Sequence, residues 1–78
     1  MTNREVVGAW SRSEPGQAGS TRTDGQTLWS YLLVIGRTVE GRKVALDYRA
    51  RAGHFKSSTT SKHVSFAVDV ADTIEVPA

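Results

Sequence analysis

The stretch from Thr27 to Val39 constrains this chain most. Leu28-Trp29-Ser30-Tyr31-Leu32-Leu33-Val34-Ile35 is rich in aromatic and β-branched side chains and is apolar on both alternating sets of positions. A strand of this kind reads as central and covered on both faces. In a chain of 78 residues one helix can cover one face, and the other needs a second cover, for which a partner subunit is the simplest candidate. The length fits one domain over residues 1–78 and excludes two. The absence of cysteine removes disulfides and thiolate metal sites, so stability rests on packing or self-association, and a homo-oligomer is expected.

Around that strand the chain divides simply. Val6 to Ser11 reads as a first strand, since Val6, Val7 and Trp10 are β-formers and the alternation permits one packed face. Ser13 to Gln26 gathers Pro15, Gly16, Gly19 and Gly25 among polar residues and reads as a long mobile loop, either a connection or a binding loop. Glu40-Gly41-Arg42 is a hairpin turn, followed by the alternating run Lys43 to Arg49, with Val44, Leu46 and Tyr48 inward and Lys43, Asp47 and Arg49 outward. Arg51-Ala52-Gly53 reads as another turn, and His54-Phe55-Lys56 as a short extended piece. Val64, Ala67, Val68, Ala71 and Ile74 then recur at helical spacing, from a start near Thr60 or Ser61 to a stop set by Pro77. The expected fold is α+β: a three- to four-stranded antiparallel sheet followed by one C-terminal amphipathic helix, βββα.

The net charge of +2 is unevenly placed, +5 over residues 1–63 and −3 beyond. A basic body with an acidic tail segment fits either a polyanion-binding face or ordinary solvated charge. Met1 to Glu5 lack the apolar segment of a signal peptide, and Leu32 to Ile35, the longest apolar run, is too short for a bilayer. No membrane partner is expected, and a cytoplasmic location is.

Chemistry concentrates in Ser57-Ser58-Thr59-Thr60-Ser61-Lys62-His63, which sets five hydroxyls, a cation and an imidazole at the start of the helix. Free N–H donors and a partial positive charge there suit a phosphate or carboxylate, with Lys56 assisting; helix capping alone accounts for the same residues. The glycines and Lys-Ser/Thr order of a nucleotide-hydrolysing loop are absent, the spacing of His54 and His63 fits no zinc site, and Ser61, His63 and Asp69 lack a nucleophile elbow. Neither a cofactor nor an enzymatic activity is expected. Arg37, Arg42, Lys43, Arg49 and Arg51 gather along the second hairpin, where with Trp29, Tyr31, Tyr48 and Phe55 they could form a cationic stacking face. In so small a protein, Trp10, Trp29 and Tyr31 are more readily core residues.

Leu28-Trp29-Ser30-Tyr31, followed some thirty residues on by Ser58-Thr59-Thr60-Ser61-Lys62-His63-Val64, resembles small proteins of actinobacterial phages and plasmids. Those proteins carry an aromatic "SY" strand and a "TTSKH" or "TTSRH" helix start. The resemblance spans roughly residues 5–75 and implies an accessory protein of an infected or carrier bacterial cell, with no assigned catalytic residue. It gives weight to Thr59, Thr60, Ser61, Lys62 and His63. The expected function is non-enzymatic binding of a polyanion, nucleic acid or a nucleotide-like ligand, through the helix N-terminus and basic hairpin. The alternative is a protein-interaction module that binds and modulates a host protein through the apolar strand or the loop Ser13 to Gln26.

Overall fold

A capping box overrides the strand preference of Val6, Val7 and Trp10. Thr2 Oγ1 accepts from the Glu5 N–H at 3.1 Å and Glu5 Oε1 accepts from the Thr2 N–H at 2.8 Å, closing the first turn of helix α1 (Asn3–Ser11). The expected first strand is therefore a helix, and Val6, Val7, Ala9 and Trp10 are its buried residues. The structure, a computed structural model, describes residues 1–49 and 57–77. The turn expected at Arg51 to Gly53, the extended piece His54 to Lys56, and the site residues Arg51 and Lys56 lie outside the described residues.

After α1 come β1 (Gly16–Gln17), β2 (Thr21–Thr23), β3 (Leu28–Ser30), β4 (Leu33–Val39), β5 (Arg42–Leu46), helix α2 (Ser58–Val70) and β6 (Thr73–Glu75). They form one sheet in the order β1-β2-β3-β4-β5-β6, antiparallel except for β5 and β6, which pair in parallel across α2. The fold is α+β, but the βββα expectation is overturned. The sheet is mixed and six-stranded, and it carries two helices.

The segment expected to be a mobile loop, Ser13 to Gln26, is folded. Its polar residues make turns: Thr23 Oγ1 accepts from the Gly25 N–H and donates to the Thr27 carbonyl, while Asp24 Oδ1 accepts from the Gln26 and Thr27 N–H groups. Those donors hold the Asp24 carboxyl below the usual carboxylate range.

The strand expected over Thr27 to Val39 is two strands joined at Tyr31-Leu32, with a bulge in their register. Leu28 pairs with Gly36 whereas Trp29 pairs with Val34, so β4 carries one extra residue there and Ile35 joins Leu28 in the core. Trp29 and Val34 share the opposite face, where the Arg22 guanidinium lies 4.1 Å from the Trp29 ring centroid. Arg22 thus covers part of that face with its own side chain. The next turn is as expected: Glu40 (φ 51°) and Gly41 (φ 77°) both take positive φ, the geometry of a two-residue type I′ hairpin.

One core lies between the sheet and both helices, built from Val6, Val7 and Trp10 of α1, Leu28, Ile35 and Ala45 of the sheet, and Val64 and Ala67 of α2. Trp10 is its centre. Its Nε1–H donates to the Gln26 carbonyl at 3.0 Å, and a Cβ at Gly36 would stand 2.7 Å from its Cζ2, so only glycine lets β4 pass. Ser57 starts α2, its hydroxyl accepting from the Thr60 N–H at 3.1 Å, three or four residues before the expected start at Thr60 or Ser61. The helix stops at Val70 because the chain re-enters the sheet: the Asp72 N–H donates to the Lys43 carbonyl and Asp72 Oδ2 accepts from the Lys43 N–H. Ile74, expected on the buried helix face, is an exposed residue of β6. No helix is long and apolar enough to cross a membrane among the described residues.

Candidate functional site

The two segments Ser30-Tyr31 and Thr59 to His63, thirty residues apart, meet where β3 ends and α2 begins. Ser30 Oγ lies 2.7 Å from His63 Nδ1 and 3.2 Å from Thr60 Oγ1, and all three residues are buried. The Tyr31 ring sits 6.2 Å from that of His63, tilted by 44°. Tyr31 is 55% exposed and holds φ at 55° on the turn to β4, so it is a surface residue and not the core residue expected. Burial, then the neighbouring Lys62 charge, push the His63 pKa below its ordinary value, which keeps the imidazole neutral near pH 7. The Ser30 Oγ–His63 Nδ1 contact itself lies in the interior, which gives it an orienting role: it fixes the ring by one nitrogen.

The other side of His63 borders a cleft of about 510 Å³ between the starts of the two helices. From α1 and its cap come Thr2, Asn3 and Arg4; from α2 come Ser58, Thr59, Lys62, His63 and Phe66. The capping box uses the Glu5 and Thr2 N–H groups, and the α2 cap uses that of Thr60. The N–H groups of Asn3, Arg4, Ser58 and Thr59 have no acceptor within their helices. Two helix N-termini thus converge on one cleft, each with its partial positive charge. Arg4 and Lys62 add two full charges, and no carboxylate lines the walls among the described residues. Glu5, next to Arg4 in sequence, is turned back onto the Thr2 backbone, which holds its pKa below the usual carboxylate range. Asn3 is anchored from below, its Oδ1 accepting from Thr21 Oγ1 at 2.9 Å. With Nδ1 committed to Ser30, His63 Nε2 is hydrogen-bonded to no described residue.

Of the residues expected at the site, Thr59, Lys62 and His63 line the cleft. Thr60 lies beneath it against Ser30, and the Ser61 hydroxyl is buried without a hydrogen-bond partner among the described residues. The basic hairpin does not join them. Lys43 was expected to face outward but is buried, its Nζ donating to the Gly25 carbonyl at 2.8 Å and to Thr38 Oγ1 at 2.7 Å while lying 5.6 Å from the Trp10 ring centroid. Burial lowers its pKa against the opposing pull of Asp24 and Asp72. Arg49 grips Asp47 through two hydrogen bonds of 2.6 and 2.8 Å, and this bonding raises its pKa. Arg37 pairs with Glu75 at 2.7 Å, and Arg42, although exposed, reaches Thr73 Oγ1 at 3.3 Å. Thr2, Asn3, Arg4 and Phe66 were missed by the sequence reading. The Thr2-x-x-Glu5 pattern was the available signal, since a helix start there leaves Arg4 in a first turn. No group of acids and histidines suited to a metal occurs among the described residues. Comparison of the chain with protein-family models, curated proteins and solved structures finds no match.

Proposed function

We propose that this protein is a non-enzymatic binder of a phosphate-bearing ligand, held in the cleft between the starts of α1 and α2. The observation that carries the reading is the convergence of Arg4, Lys62 and two helix N-termini on a cleft lined, among the described residues, by no carboxylate. One phosphate there accepts from the first-turn N–H groups of both helices and from the Ser58 and Thr59 hydroxyls, with the two cations balancing its charge. His63 supplies Nε2 from the cleft wall. In the neutral ring the Ser30 contact decides which nitrogen carries the proton, and if Ser30 donates to Nδ1, Nε2–H is a donor toward the ligand. The interior position of Ser30 and His63 argues for binding rather than nucleophilic chemistry. The test is an NMR titration with inorganic phosphate at about 50 mM and about 500 mM salt. Shifts at residues 2–4 and 58–63 that weaken at the higher salt are expected. Unmoved signals at both salts would sink the reading.

A protein-interaction role is the second reading, and one observation favours it at a new location. β6 is an edge strand, and Val70, Ile74 and Val76 stand exposed beside it.

A further inference from the structure

We infer that the ligand is a nucleoside monophosphate, its phosphate in the cleft and its base in the groove between α1 and α2. This inference rests on the phosphate-binding reading. The groove, of about 170 Å³, is lined by Arg4, Val7, Gly8, Phe66, Asp69 and Val70. It shares Arg4 and Phe66 with the cleft, and the Arg4 guanidinium lies 4.6 Å from the Phe66 ring centroid at the junction. The cleft alone exceeds what a bare phosphate fills and reaches the size range of sites for small organic ligands. His63, which lines the cleft, keeps Nε2 outside its hydrogen bond to Ser30.

The groove differs chemically from the cleft. Val7, Phe66 and Val70 give it apolar walls that suit a planar ring, and Asp69 gives it one carboxylate acceptor. A second phosphate in the groove meets the repulsion of Asp69, and an acyl chain leaves that carboxylate unused. A base with an exocyclic amino group uses both the walls and the acceptor. Gly8 keeps the groove open, and a Cβ there would meet only the flexible end of Arg12, at 3.3 Å.

The experiment measures affinities of the whole protein for inorganic phosphate, ribose 5-phosphate, adenosine, and the monophosphates of adenosine, cytidine and uridine. Adenosine monophosphate is expected to bind at least about tenfold more tightly than ribose 5-phosphate or adenosine. Cytidine monophosphate should exceed uridine monophosphate, whose base has no amino group to give Asp69. Gly8→Leu fills the groove while improving helix propensity, so it should erase the nucleoside advantage yet retain phosphate binding and thermal stability. Phosphate binding with no nucleoside advantage, or an advantage that survives Gly8→Leu, overturns this inference alone. Failure of every phosphate compound overturns the phosphate reading as well. A 5′-phosphorylated oligonucleotide separates the sources: affinity equal to that of adenosine monophosphate assigns the site to strand ends, and exclusion assigns it to free nucleotides.

Discussion

The cleft and the β4–β5 hairpin contrast sharply, although both are rich in basic residues. On the hairpin side Lys43 is sealed under Trp10, Arg49 is spent on Asp47 and Arg37 on Glu75. At the cleft, Arg4 and Lys62 are exposed, and Arg4 packs only its guanidinium against Phe66. Clustering along the chain therefore says little about a cationic surface. What matters is whether each cation already has an acceptor, and cations that hold the fold together are costly to redirect to a ligand.

The comparison breaks most visibly at Lys43. Lys43→Ala removes a buried cation from two acceptors and opens a cavity beside Trp10, so it should cost about 2–4 kcal/mol in chemical denaturation while phosphate affinity stays unchanged. A large loss of affinity in a folded Lys43→Ala protein contradicts the division of roles. Ser30→Ala comes next, at about 1–3 kcal/mol, because it leaves the buried His63 Nδ1 without its partner. The same variant should disturb ligand binding through the freed imidazole, a link between fold and cleft that Lys43 lacks. Arg4→Ala and Lys62→Ala should each weaken phosphate binding about tenfold, or about 1.4 kcal/mol, with little change in melting temperature. Arg42→Ala, on the hairpin surface, should move stability by less than about 0.5 kcal/mol and phosphate affinity hardly at all.

The pH dependence sharpens the same contrast. Burial lowers the folded-state pKa of His63 and of Lys43, so in each case the unfolded chain holds the proton more tightly. Stability should fall as pH drops below the ordinary histidine value, and should rise as pH climbs toward the ordinary lysine value. Lys43→Met should abolish the alkaline rise and leave the acid-side loss intact. Glu5 and Asp24, whose folded pKa values are depressed, add stability that is present above their ordinary values and lost as pH falls through the depressed ones.

Legibility followed the range of the interactions everywhere but at helix α1. Helix α2 was readable because its apolar residues recur at helical spacing and hydroxyls precede them, and the β4–β5 turn because Gly41 takes positive φ at no steric cost. Helix α1 was misread because Val6, Val7 and Trp10 favour strands intrinsically, whereas the Thr2–Glu5 box that decides the matter is a pair of local hydrogen bonds. β1 and β2 are two and three residues long and largely polar, too short for alternation to register. The α2 half of the cleft was visible in Thr59, Lys62 and His63. Arg4 was not, because only tertiary packing brings it across more than fifty residues to Lys62. Lys43 looked outward by alternation because nothing in the chain announces that Gly25 and Thr38 will receive it.

The most direct test of the central claim is the site-resolved phosphate titration, read on backbone amides over the whole chain at low salt. The account predicts saturable shifts at Asn3, Arg4, Ser58 and Thr59, abolished in the Arg4→Ala, Lys62→Ala double variant, with the hairpin residues 37–49 silent. Shifts centred on that hairpin, or a response that survives the double variant, would contradict it.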